Sequence, residues 1–244
     1  MKTILITGAS SGIGYATAEH FLAAGWQVGL IARRKDKLEA LAATYPNATA
    51  LPCDVTDATA MKDVFESFAG QTGRLDVLFN NAGMFGPAGP IDEIPLGGFE
   101  QVINVNVRGM FIAAQLAFAQ MRKQSPQGGR IINNGSLSAH NPRPGSICYT
   151  TSKHAITGMT RSLSLDGRAF DIACGQIDIG NAKSELVQEL NTRAQAADPD
   201  QPLMPMMDVE DAARSVQHMA EMPASANVQF MTVMATKMPY IGRG

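Results

Sequence analysis

The chain has 244 residues, of which 45% are hydrophobic and 17% charged, with a net charge of −2. That apolar content supplies a sizeable core and excludes a disordered chain. With no lysine or arginine cluster in it, the sequence argues against nucleic acid or an anionic membrane surface as a partner.

The three cysteines, Cys53, Cys148 and Cys174, are scattered and form no CxxC pair, which suits reduced thiols in a cytoplasmic protein. His20, His140, His154 and His218 show no metal spacing, so no metal site is expected. The opening MKTILITG breaks at Thr7-Gly8, too early for a signal peptide, and no stretch is expected to span a membrane.

Short apolar runs alternate with longer amphipathic stretches. TILIT (3–7) reads as a buried strand, followed by a helix over 13–24 that stops near Gly25. A strand over 27–32 leads to a helix over 35–45, and a strand over 48–54 to a helix over 58–70, with Asp57 as its N-cap. Further strands are expected over 75–83, 129–136, 170–178 and 227–235, and further helices over 98–123, 147–166 and 208–221. Such alternation predicts one α/β domain over residues 1–244, doubly wound and Rossmann-like, with about seven parallel strands and helices on both faces. Ligands of such folds sit beyond the carboxyl ends of the strands.

The first such end reads TGASSGIG (7–14), which brings Gly8, Ser10, Ser11, Gly12, Ile13 and Gly14 to the turn before the first helix. Glycines there let backbone N–H groups approach a pyrophosphate favoured by the helix N-terminus. The second strand ends ARRKDK, with no acid before Asp36. Arg33 and Arg34 can pair with a 2′-phosphate that a carboxylate would repel, so NADP(H) is favoured and NAD(H) stays open. Tyr149 and Lys153, four apart on an expected helix, share one face. They are either a half-buried tyrosine beside a solvated lysine or a phenol whose proton a fixed charge has made easier to move.

With NNAG (80–83) after the fourth strand and Ser136 after the fifth, these features together resemble the short-chain dehydrogenase/reductase family. The resemblance implies an oxidoreductase that transfers hydride between NADP(H) and a small carbonyl or alcohol. In it the glycine-rich turn binds the diphosphate, Asp54 and Val55 contact the adenine, and Asn81, Ala82 and Gly83 contact the adenosine ribose. Tyr149 would be the general acid/base and Ser136 would hold the substrate oxygen. Lys153 would lower the phenol's pKa and bind the nicotinamide ribose, and Asn106, in INVNVRGMF (103–111), would hold a water that resupplies protons. The resemblance further implies a homodimer or homotetramer. A dinucleotide sensor without turnover is the alternative from another class.

The sixth strand departs from the family, which usually has Pro-Gly there and a threonine four residues on. In ACGQIDIGNA (173–182), Gly175 is read as that glycine, Cys174 as standing for the proline, Ile179 for the threonine, and Ile177 as a backbone contact to the carboxamide. Substrate selectivity is expected from 84–97, 137–148 and 180–207, the last a lid carrying Met204, Met206 and Met207.

Overall fold

In the computed structural model, which describes residues 1–197 and 202–241, the apolar runs become the strands of one parallel sheet. They are β1 (Thr3–Thr7), β2 (Gln27–Ala32), β3 (Ala48–Pro52), β4 (Val77–Asn80), β5 (Gly129–Asn134), β6 (Ile172–Ile179) and β7 (Phe230–Val233). Their order across the sheet is β3-β2-β1-β4-β5-β6-β7. Residues 198–201 of the expected lid and 242–244 of the C-terminal segment lie outside the described residues.

Side chains along β1 show why both faces are covered. Ile4 and Ile6 join Phe21, Leu22 and Val216 in one apolar cluster, while Leu5, pointing the other way, joins Met61, Phe65 and Ile112 in a second. The first cluster is roofed by α1 (Gly12–Ala23), α2 (Lys35–Thr44) and α8 (Val209–Glu221). The second lies under α3 (Ala58–Thr72) and α5 (Met110–Lys123). Asp57 caps α3 as expected, its carboxylate accepting the N–H groups of Thr59 and Ala60 at 3.0 Å each.

The expected helix over 98–123 is one continuous run with an internal irregularity. α4 (Leu96–Ile103) passes through a π-helical segment, Asn104–Gly109, into α5. This run corrects the membrane expectation in one respect: Leu96–Lys123 is long and apolar enough to span by length and composition. Its apolar residues are used differently here, with Ile112, Ala113, Ala117 and Met121 buried against the sheet.

α6 (Ile147–Asp166) has the expected bounds. The strands expected over 75–83 and 227–235 are shorter, and β6 runs one residue further than expected. Within the lid region lies an unanticipated helix, α7 (Glu185–Ala197). The ends of the segment expected as a lid are tied where Ala182 bridges Met207, with Met207 N–H donating to Asn181 O at 2.9 Å.

Candidate active site

β1 and β4 are sheet neighbours whose following connections leave in opposite directions, which opens a crevice at their carboxyl ends. A cleft of about 560 Å³ occupies it. Gly8, Ser10, Ser11, Gly12, Ile13 and Gly14 line one end, with Arg33, Arg34, Asp54 and Val55. Asn81, Ala82 and Gly83 form the middle, and Ser136, Tyr149 and Lys153 the far end.

The glycine turn is a cradle only glycine can build. Gly12 has φ +54, and a Cβ on Gly14 would stand 2.3 Å from Gly8 O and 2.6 Å from Asn81 Nδ2. Asn81 stitches the turn together, donating to Thr7 O at 2.9 Å and accepting from Asn134 Nδ2 at 2.8 Å. Arg34 Nε donates to Ser10 Oγ at 3.1 Å, and its guanidinium reaches Glu185 at 3.4 Å. Asp54 accepts from Thr56 N–H and hydroxyl at 2.9 and 2.8 Å, and the backbone bond is the main reason its carboxyl lies below the ordinary value. Asn134 Oδ1, in the cleft wall, is buried without a hydrogen-bond partner. A narrow glycine cradle, two arginines and an orphaned acceptor fit a dinucleotide that carries phosphates and an amide.

At the far end, α6 presents Tyr149 and Lys153 on one face. Lys153 is buried, its Nζ donating to Asn134 O at 2.7 Å and lying 5.4 Å from the centre of the Tyr149 ring. Burial pushes the ammonium down to about 8, and the Asp178 charge opposes that fall. The Tyr149 phenol is not lowered in this state. Burial pushes it up to about 12, while a hydrogen bond with Ser136 and the Arg143 charge pull it back. Phe85 packs edge-on against the Tyr149 ring at 4.7 Å.

Asn106 lies behind the cleft, fully buried in the π-helical segment. Its Nδ2 donates to Met84 O at 2.8 Å and Ser152 Oγ at 3.0 Å, and its Oδ1 accepts from Met84 N–H at 2.8 Å. Both amide hydrogens are therefore committed, so a relay water would be held by Oδ1 or the main chain.

The sixth strand requires a correction of register. Gly175 sits in the middle of β6, where a Cβ would meet Val228 O at 2.2 Å, and Ile177 is fully buried in the core. Neither reaches the cleft, because β6 continues to Ile179. The strand end that faces the cleft is Ile179-Gly180, and four residues beyond Gly180 stands Ser184, lining the cleft beside Gly12. In this register Ile179 replaces the family's proline, and a serine takes the threonine's place. The signal was the strand's length, since extended residues rise about 3.3 Å each and an early end misplaces the whole following loop.

Two further residues take roles that the sequence did not assign to them. Asp178 is buried with Oδ1 accepting from Ser136 N–H at 2.8 Å and Gln176 Nε2 at 2.7 Å, while Oδ2 meets His140 Nε2 at 2.9 Å. Behind it a buried ladder continues through Gln176, Thr160 and Asn133 to Asn80. Arg143, in the 137–148 segment, lines the cleft and donates to Asn181 Oδ1 at 3.2 Å. Among the described residues no cluster of three or more His, Cys, Asp or Glu could hold a metal.

A family model described as short chain dehydrogenase matches residues 2–195. The chain belongs to the short-chain dehydrogenase family. It is thus an oxidoreductase acting on CH–OH or carbonyl groups. An uncharacterized oxidoreductase, YxjF of Bacillus subtilis, is 36% identical over 77% of this chain and 73% of its own length. Serine 3-dehydrogenase of Rhizobium radiobacter is 27% identical over 98% of this chain and 96% of its own. The solved structure of ElxO with NADP bound, 27% identical, covers 95% of this chain and 96% of its own with a TM-score of 0.85.

Proposed function

We propose that this family member interconverts a small ketone or aldehyde with its alcohol, using NADP(H), with Tyr149 as the proton-transfer residue. The observation that carries the reading is that Tyr149, Ser136 and Lys153 line the same cleft as the glycine cradle, with Lys153 Nζ 5.4 Å from the centre of the Tyr149 ring. When bound there, the nicotinamide cofactor supplies or accepts the hydride. Gly8, Gly12 and Gly14 leave room for its diphosphate, and Ser10, Ser11 and Ile13 share that turn. Asp54 and Val55 would contact the adenine, and Asn81, Ala82 and Gly83 the adenosine ribose. Ser184 replaces Gly175 and Ile177 as the strand-six contact.

In reduction Tyr149 gives its proton to the carbonyl oxygen, and in oxidation it takes the alcohol proton. Ser136 holds the same oxygen in line, and its main chain is fixed by Asp178. Lys153, whose Nζ lies 5.4 Å from the ring centre, would also meet the nicotinamide ribose. Asn106 ties the loop after β4 to α6 and supports the proton path at Lys153.

NADP(H) over NAD(H) rests on Arg33 and Arg34 at the end of β2, where the sequence carries no acid before Asp36. ElxO, which holds NADP, agrees with that preference. Serine 3-dehydrogenase is named for a hydroxy amino acid, which keeps small polar alcohols within the substrate class. We further propose that residues 1–244 act as one cytoplasmic unit, paired as a homodimer or homotetramer through α5 and α6, where Phe111 and Leu165 are exposed.

Oxidation of NADPH and NADH across ketones and aldehydes, with Tyr149→Phe alongside, tests the reading. The expected outcome is turnover with NADPH that drops about 10³-fold in the variant with cofactor affinity retained. Full turnover by Tyr149→Phe would sink the assignment, and tight cofactor binding without turnover would favour a sensor.

A further inference from the structure

The two arginines after β2 have different acidic neighbours. The Asp54 carboxyl, held below its ordinary value mainly by the Thr56 backbone bond and also by the Thr56 hydroxyl, is lowered further by the Arg33 charge. Arg34 instead meets the first residue of α7. Its Nη1 lies 3.4 Å from Glu185 Oε2, while its Nε donates to Ser10 Oγ at 3.1 Å. The two partners are 151 residues apart in sequence, and both line the cleft beside Gly12. Their approach is built into the fold. Ser184 packs so close to Gly12 that a Cβ there would stand 3.0 Å from the Ser184 Cβ. On the other side, Lys183 N–H donates to Met207 O at 2.9 Å, and Lys183 Nζ meets Asp208 Oδ1 at 2.8 Å. With Lys183 and Ser184 held, Glu185 can take its carboxylate away from Arg34 only by turning the side chain.

Both side chains of this pair are exposed, so the pair contributes little to the stability of the fold. Its consequence lies in what else Arg34 can hold. A guanidinium offers paired N–H bonds to a phosphate, and a carboxylate at the same arginine takes up part of that fork and repels a second anion. We propose that Glu185 is a specificity-determining residue for the cofactor. It competes with the 2′-phosphate of NADP(H) for Arg34, and so holds the preference for NADP(H) over NAD(H) below what Arg33 and Arg34 alone would set. A 2′-hydroxyl brings no charge to that contest, so NAD(H) binds with the Arg34–Glu185 pair intact. The inference rests on the NADP(H) reading above and deepens it, giving α7 a part in the choice of cofactor.

The test is a set of dissociation constants. Fluorescence gives Kd for NADPH and NADH, and calorimetry gives it for adenosine 2′,5′-bisphosphate and 5′-AMP, which carry the 2′ difference without the nicotinamide. Glu185→Gln is expected to tighten NADPH and the bisphosphate about 5-fold, and to leave NADH and 5′-AMP within about 1.5-fold. Glu185→Lys, which adds a cation, should tighten the same two about 20-fold. In an Arg34→Gln background the gain from Glu185→Gln should fall below about 2-fold, because the two residues act through one contact. An equal gain for NADH, a loss of NADPH affinity in Glu185→Gln, or a full gain that persists without Arg34 would overturn the inference. A wild-type preference for NADPH that Arg34→Gln reduces and Glu185→Gln leaves unchanged would overturn it while sparing the NADP(H) reading. A wild type without that preference, indifferent to Arg34→Gln, would overturn both.

Discussion

The two ends of the cleft are built by different means. The cofactor end, beyond β1 and β2, is built mainly on local chain: glycines that close a turn, and arginines that follow β2 directly in sequence. The substrate end, beyond β5 and β6, is made of side chains that meet across long separations. Asp178 fixes Ser136 from 42 residues away, and Arg143 touches Met204 from 61. A site written in local backbone is specified by neighbouring residues, while one written in side-chain contacts is specified only by the fold.

Substitutions at each end should differ accordingly. The largest effect is expected from Gly14→Ala, whose methyl group would press on Gly8 O. Cofactor Kd, read by NADPH fluorescence, should rise about 100-fold while the melting transition stays cooperative. An unchanged Kd would mean that the turn relaxes freely and the end is less rigid than described.

At the other end, Asp178→Ala strands the Ser136 N–H, Gln176 and His140 together. It should cost about 3 kcal/mol in denaturant unfolding and lower kcat about 50-fold with cofactor Kd preserved. Asp178→Asn, which keeps an acceptor for Ser136, should recover most of kcat. Equal losses in both variants would show that the carboxylate's charge matters more than its grip on Ser136.

Arg33→Asp separates the ends from a third direction. The ratio of NADPH to NADH in kcat/KM should fall about 30-fold, with no change in the ranking of carbonyl substrates. A changed ranking would mean that the two ends are coupled.

The smallest effect is a pH dependence of stability from Lys153. Its folded value, about 8, lies below the ordinary 10.5. The charged form is therefore penalised on folding, fully below pH 8 and progressively less as pH rises towards 10.5. Wild-type protein should gain on the order of 1 kcal/mol over Lys153→Met between pH 7 and 9, because the penalty exists only where lysine is present. A gap that widens with acidity confirms the sign, and a flat one would place the lysine in a wetter environment than its burial indicates.

Legibility in the sequence followed the same division. The order of strands and helices, the Asp57 cap, the turn at 7–14 and the shared face of Tyr149 and Lys153 all come from local periodicity and short spacing. The register of β6 did not, because Gly175 looks like a strand-ending glycine. Its actual job is to let Val228 O come close, and a pairwise approach of that kind leaves no mark in one stretch of chain. Asp178 and Arg143 escaped for a related reason: an isolated acid or arginine acquires meaning only through its partners. The phenol's upward shift was missed because proximity to Lys153 suggests attraction, whereas the depth of the cleft sets the larger effect.

The bridge between Ala182 and Met207 bears on how such a protein can change. Because the chain leaves and re-enters the cleft rim at adjacent points, everything between them is a closed loop whose entropy grows only with the logarithm of its length. Doubling that stretch would cost only ~0.6 kcal/mol. Residues added within this stretch beyond Ser184 and Glu185, which line the cleft, need not disturb the register of β6 or the glycine cradle.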